Sequence, residues 1–311
     1  MSSGASAGRP SAVELCGLKL AHPVINGSGT FDAIAARRAF GDEQLRERFP
    51  FAAYVSKTIT LEPRAGNPPP RLWEAQAGLI NSIGLPNKGL EGYLREDLPQ
   101  LVELGIGTDG GVPLITNVMG ASAEELARLL DACDARAEIA AVELNVSCPN
   151  VATGLDIGAD PRQLQEVVAA VRARTAKPMI VKLTPNTADV PACALAAEHG
   201  GADAVSLINT LRATALAPRR APGSSARWLG GGSGGLSGPA IRAVALAQVA
   251  AVAARVAIPV IGMGGVQSAR HARDLLDAGA TLVAVGTESF RDPATGARIA
   301  KELATVKSGG A

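Results

Sequence analysis

GGADAVSLINT (Gly200–Thr210) decides how the chain folds. Two glycines close a periodic segment, a short β-branched run with no polar alternation follows, and the run ends on an amide and a hydroxyl. GATLVAVGT (Gly279–Thr287) repeats the order, so the two stretches are equivalent helix-to-strand units. A strand that is apolar on both faces belongs in a parallel sheet covered by helices. Working outward, similar runs lie near Pro23–Asn26, Ala52–Lys57, Pro113–Met119, Ala141–Val146, Pro178–Leu183, Ala204–Asn209, Pro259–Gly262 and Thr281–Gly286. Eight strands alternating with helical segments predict an α/β fold, a (β/α)8 TIM barrel over residues 1–311 with residues 1–12 as a flexible N-terminus.

Helix starts are punctuated. Ser122 and Glu125 form a capping-box pattern before Leu126, Leu129 and Leu130, while Asp160-Pro161 and Asp292-Pro293 each place an N-cap ahead of proline. Leu164, Val167, Val168 and Val171 then make one apolar stripe, and Gly200 and Gly279 mark helix ends. Two segments exceed ordinary barrel connections: Leu61–Lys88 after the second strand, and Arg212–Ser237, with its Gly230–Gly235 run, after the sixth. Barrel active sites lie at the carboxyl ends of the strands, so both insertions belong at the catalytic mouth.

Composition narrows the function. With 30 Lys+Arg against 29 Asp+Glu and 3% aromatics, no basic, base-stacking surface for nucleic acid is expected. The most apolar stretch, Ala240–Gly262, is broken by Arg242, Gln248 and Arg255, which argues against a membrane span. MSSGASAGRP lacks the apolar run of a secretory signal, so a cytoplasmic location is expected. Cys16, Cys133, Cys148 and Cys193 are scattered without CxxC pairing, which argues against a disulfide framework, a metal site or an iron–sulfur cluster in this chain.

The strand ends carry the chemistry: Asn26-Gly27-Ser28, Lys57-Thr58, Asn117, Asn145, Lys182, Asn209-Thr210, Gly264-Gly265 and Gly286-Thr287. Such residues also end strands for purely conformational reasons. Two lysines at one mouth, however, call for an anionic or carbonyl-rich ligand. Glycines after strands seven and eight suit a phosphate held by backbone N–H groups. Cys148 lies on a mouth loop between Ser147 and Pro149, where a thiol can serve as a base, whereas Cys16, Cys133 and Cys193 are expected as small buried hydrophobes. His22, His199 and His271 fall away from the mouth.

Together with these ends, SKTITLEPRAGNPPPR (Ser56–Arg71), INSIGLPNKGL (Ile80–Leu90), ELNVSCPN (Glu143–Asn150), VKLTPN (Val181–Asn186), GGLSGPAI (Gly234–Ile241) and IGMGGV (Ile261–Val266) closely resemble the class 1 dihydroorotate dehydrogenases. The resemblance runs from Val13 to about Leu303. It implies FMN at the mouth of the barrel and oxidation of dihydroorotate to orotate in pyrimidine biosynthesis, with Cys148 removing the C5 proton while hydride leaves C6 for the flavin. It further implies that Lys57, Asn81, Gly84, Leu85, Asn145, Asn209 and Thr210 hold the pyrimidine. Ser28, Lys57, Thr58, Asn117, Asn145, Lys182, Ile208, Gly238, Gly264, Gly265, Gly286 and Thr287 are implied to contact FMN.

TLEPR, ELNVSCPNV and GGLSGPAI resemble the class 1B catalytic subunit, which implies a homodimeric core joined to a partner subunit carrying FAD and a [2Fe–2S] cluster that passes electrons to NAD. SIGLPN also occurs in fumarate-linked class 1A relatives, and a related dihydropyrimidine dehydrogenase shares much of the flavin face, so both stand as alternatives. A flavin-binding subunit without catalysis is the remaining rival. Arg212–Trp228 departs from the usual family sequence.

Overall fold

Eight parallel strands pair in one ladder in the computed structural model, which describes residues 12–147, 157–218 and 226–305. They are β1 (Val24–Asn26), β2 (Tyr54–Val55), β3 (Leu114–Val118), β4 (Ile139–Asn145), β5 (Met179–Lys182), β6 (Ala204–Leu207), β7 (Val260–Met263) and β8 (Leu282–Val285). The ladder runs from β2 through β3 to β8 and on to β1, each strand beside its successor, as the eight apolar runs predict. Across the remaining seam, between β1 and β2, the Ala52 N–H donates to the Val24 carbonyl at 3.0 Å and a side chain supplies the rest. Asn26 donates from Nδ2 to the Val55 carbonyl at 2.8 Å and accepts the Val55 N–H at Oδ1 at 2.9 Å.

The principal helix after each strand is α1 (Ala33–Phe40), α2 (Leu98–Glu103), α3 (Ala123–Asp134), α4 (Pro161–Arg172), α5 (Val190–His199), α6 (Arg242–Ala253), α7 (Ala269–Asp277) and α8 (Thr295–Thr305). Short polar side chains start them: Ser122 Oγ accepts Glu125 N–H, Asp160 accepts Gln163 N–H, Asp189 accepts Ala192 N–H and Ser268 accepts His271 N–H. Glu125 reaches back to Ala121 N–H, one residue before the N-cap, so the capping box is displaced by one position. α8 begins at Thr295 instead of Pro293, because Asp292 uses its carboxylate on Ala294 N–H and on Arg298. At the end of α5, Gly200 is right-handed and Gly201 takes the positive φ of 97°.

Strand residues alternate between two cores, the consequence of period 2 in a closed sheet. Val142, Leu144, Val181, Val205 and Val283 point outward against Leu126, Leu129 and Leu130 of α3, the Leu164–Val171 stripe of α4, and Val249 and Val252 of α6. Fully burying each such side chain contributes about 1.5–3 kcal/mol. Ile25, Val55, Ile115, Ala141, Ile180, Ala204, Ile261 and Leu282 fill the lumen. The antiparallel hairpin Val13–Leu15/Leu18–Leu20 closes its amino-terminal end with Leu15 and Leu20. One layer nearer the mouth the lumen turns polar, with Asn117, Glu143, Lys182 and Ser206 all buried.

The two long insertions pair with each other. Leu72–Ala75 and Gly78–Asn81 form a hairpin from the first, Leu211–Ala213 and Gly234–Ser237 form another around the second, and the four strands join as one antiparallel sheet through Leu236 opposite Ile80. The Gly230–Gly235 run is what permits this contact. A Cβ on Gly230 would stand 2.0 Å from the Pro68 carbonyl oxygen, and one on Gly234 would stand 2.2 Å from that of Asn81. Ile80, Ala215 and Leu229 make a small core of their own beneath Trp73 and Leu236.

Candidate active site at the barrel mouth

The ends of β1 and β2 supply the first wall. Ser28 Oγ donates to the Ser56 carbonyl at 2.8 Å and lies 3.4 Å from Thr58 Oγ1, which is itself buried. Between them Lys57 stands exposed while its neighbours are buried, an ammonium held at the rim. Ser56 Oγ receives the Asn117 backbone N–H at 3.0 Å, tying β2 to the end of β3.

The polar floor is built on β3 to β6. Glu143 is 3% exposed, and its two carboxylate oxygens accept from Ser206 Oγ at 2.7 Å and from Asn117 Nδ2. Lys182, 7% exposed, enters the same layer from β5. Asn117 Oδ1 is fully buried and has no hydrogen-bond partner among the described residues. An orphaned buried acceptor costs about 1–3 kcal/mol, so this site is complete only when a donor reaches it.

Above the floor, Asn145 Oδ1 accepts Ser147 N–H at 3.3 Å, Asn209 Nδ2 donates to Ser147 Oγ at 3.0 Å, and Asn209 Oδ1 accepts Thr210 N–H at 2.9 Å. Asn186 joins this group, donating to the Thr210 carbonyl at 3.0 Å and accepting Arg212 N–H at 2.8 Å. These residues border a cavity of about 190 Å³ lined by Ser147, Asn186, Asn209, Thr210, Arg212, Ser233, Gly234 and Gly235. Asn81 stands on the adjoining strand and donates to the Gly235 carbonyl at 3.1 Å. Gly84 and Leu85 shape the approach with φ of 75° and 53°. At Gly84 a Cβ would stand 2.5 Å from Asn67 N, and Leu85 holds a left-handed conformation uncommon for a side chain of its kind.

On the opposite side three loops bring glycine to one place. Gly264 and Gly265 have φ of 133° and 67° and Gly238 of 84°. A Cβ on Gly265 would lie 2.9 Å from the Gly238 carbonyl oxygen, and one on Gly264 would lie 3.4 Å from Ile208 Cγ1. Gly238 in turn lies against Thr287, whose hydroxyl donates to Ser237 Oγ at 2.9 Å, with Gly286 just before it. Such a bare backbone concavity suits a phosphate. His271 stands behind this cradle in the first turn of α7, nearer the mouth than the sequence suggests; burial and then Arg242 hold its pKa below the usual histidine range.

The structure therefore gathers Ser28, Lys57, Thr58, Asn117, Asn145, Lys182, Ile208, Asn209, Thr210 and the glycines Gly238, Gly264, Gly265 and Gly286 with Thr287 at one end of the barrel. Cys148, together with Asn150, lies outside the described residues. Of the other cysteines Cys133 and Cys193 are buried as expected, but Cys16 is only half-buried, in the turn of the amino-terminal hairpin. Sequence reasoning missed Glu143, Asn186 and Arg212. Glu143 and Asn186 sit inside motifs already singled out, and an acidic residue in an otherwise apolar strand was the available signal. Asn26, by contrast, is a strand-end amide that serves the barrel seam.

Comparison with known proteins shows the family. The family model described as dihydroorotate dehydrogenase matches residues 11–306. A protein of Desulforudis audaxviator named dihydroorotate dehydrogenase B (NAD(+)), catalytic subunit, is 44% identical over 296 residues, covering 94% of this chain and 91% of the relative. Proteins of the same name from a Geobacter species and from Maridesulfovibrio salexigens are 42% and 40% identical, covering 94% and 95% of this chain and 91% and 92% of the relatives.

Proposed function

The chain belongs to the dihydroorotate dehydrogenase family, and from that premise we propose that it is the catalytic subunit of an NAD-linked dihydroorotate dehydrogenase of class 1B, a flavin-dependent oxidoreductase that forms orotate for pyrimidine biosynthesis. The observation that carries this reading is the pairing, at one mouth, of a two-lysine, amide-lined polar wall with a glycine cradle opposite. FMN fits the residues present. The orphaned Asn117 Oδ1 matches a ring N–H, and Gly238, Gly264, Gly265, Gly286 and Thr287 match a phosphate that the backbone must approach closely.

Bound FMN would supply the hydride acceptor. The chain's own groups would do the rest. Ser28, Lys57, Thr58, Asn117, Asn145, Lys182 and Ile208 would hold the flavin ring and its chain, with the Lys182 ammonium offsetting negative charge gathered on the reduced ring. Lys57 would meet the substrate carboxylate by a charge-assisted bond, and Asn81, Asn145, Asn209 and Thr210 would match the alternating N–H and C=O edge of the pyrimidine, with Gly84 and Leu85 closing beside it. Cys148 would take the C5 proton, which is acidified by the adjacent carbonyl. By the resemblance of its motifs to class 1B, the chain would work as a homodimeric core with a partner subunit that carries FAD and a [2Fe–2S] cluster and reduces NAD.

Anaerobic addition of dihydroorotate to the purified yellow protein tests the reading. Bleaching of the flavin is expected, with no recovery on adding fumarate or NAD alone and recovery on adding NAD with the partner. Recovery by fumarate alone would move the chain to class 1A, and an absence of bleaching would overturn the dihydroorotate reading.

A further inference from the structure

We propose that Glu143 is a positioning residue that fixes which face of the Asn117 amide is offered to the flavin, and so makes the site an acceptor for the ring N3–H. The inference rests on the flavin reading above and goes beyond it, because Glu143 acts only through the intervening Asn117 side chain. A carboxylate only accepts hydrogen bonds, so the amide group turned toward Glu143 has to be the NH2. Asn117 does donate from Nδ2 to one Glu143 oxygen, and Ser206 Oγ holds the other at 2.7 Å. With Nδ2 committed, the amide oxygen is directed away from the carboxylate and is left buried without a partner among the described residues. The Asn117 backbone N–H is held by Ser56 Oγ, so the residue cannot relieve the orphan by moving as a unit. The side chains of Ser56, Asn117, Glu143 and Ser206 are all buried, and with a ring donor in place the observed face leaves no group unsatisfied, whereas the opposite face turns the amide oxygen on the carboxylate.

The isoalloxazine edge presents one donor, N3–H, flanked by two carbonyls. An acceptor fixed in advance therefore recognises that donor, whereas an amide free to turn would present NH2 to the carbonyls as readily. Glutamine at position 143 removes the constraint, since a carboxamide can face Asn117 with either its oxygen or its nitrogen.

The test uses apoprotein reloaded with 15N-labelled FMN, and reads the N3–H proton resonance and the FMN dissociation constant by fluorescence quenching. In the wild type the N3–H line is expected downfield and protected from exchange, and N117A is expected to move it upfield; a wild-type line at the position of free FMN would overturn the proposal without any Glu143 variant. E143Q is expected to move the line upfield and to weaken FMN binding about tenfold, a loss typical of one buried hydrogen bond. In the N117A background E143Q is expected to add less than about threefold. An equal loss in both backgrounds would mean that Glu143 acts on the barrel at large, and an unmoved line in E143Q would overturn the proposal. Failure of the wild type to bind FMN would instead overturn the flavin reading.

Discussion

At the scale of single residues, the thiols separate by environment. Burial pushes the Cys16 thiol to about 11, with Asp203 adding to it, the Cys133 thiol to about 12 and the Cys193 thiol to about 11. At pH 8 roughly one in a thousand of the Cys16 or Cys193 groups is thiolate. Labelling the folded holoenzyme with a thiol-specific disulfide reagent at that pH is therefore expected to leave these three unmodified. Rapid labelling should map to Cys148 and slow when orotate is present; labelling of Cys16 at the same rate would contradict the assignment. Cys148→Ala and Cys148→Ser should stay yellow and lose about 10²–10⁴-fold in flavin reduction rate, the usual contribution of a general base. Lys57, Lys182 and the mouth asparagines were legible because they interrupt apolar runs at strand ends. Glu143 was not, because sequence gives the alternation of a strand but not which of its two faces lines a polar lumen.

At the scale of elements, the barrel was legible because each strand is short, apolar on both faces and bracketed by glycine, proline or a capping residue. The seam between β1 and β2 was hidden, since one backbone bond and the Asn26 side chain rather than a run of apolar residues make it. Asn26→Ala removes both of its bonds to Val55 and is expected to cost about 2–4 kcal/mol in urea unfolding, whereas replacement of an exposed strand-end group such as Lys57 should cost little. The pairing of the two insertions was equally hidden, because antiparallel partners so far apart in the chain leave no local periodicity. Gly230, Gly231, Gly234 and Gly235 form a packing surface against Pro68, Asn67, Asn81 and Thr210. Gly234→Ala is expected to push its strand off Asn81 and raise the KM for dihydroorotate on the order of ten- to hundredfold, with bound FMN retained. An unchanged KM would show that the mouth sheet does not shape the substrate cavity.

At the scale of the whole molecule, acid response follows from two histidines remote from each other. His22 and His271 each accept a backbone N–H at Nδ1, from Val24 and from Gln267, and burial lowers the pKa of both. Since the folded state resists the proton, the unfolded chain binds more of it as pH falls through about 6.5, and stability declines from there downward. The lowered carboxylates Glu96, Asp134 and Glu138 act in the same direction but only near and below their ordinary range. Urea midpoints measured between pH 7.5 and 5.5 should therefore fall, and fall less in a variant carrying His22→Asn and His271→Asn; identical slopes would assign the acid response elsewhere.

The mouth sheet also has a history in time. Asn81 and Gly235, which meet within it, are 154 positions apart. During synthesis the Leu72–Asn81 hairpin leaves the ribosome long before the strand that covers it, with Trp73 and Ile80 still lacking Leu229 and Leu236. Substrate recognition is thus among the last properties the nascent chain acquires, and until then that hairpin is the surface on which a chaperone or a wrong neighbour would first take hold.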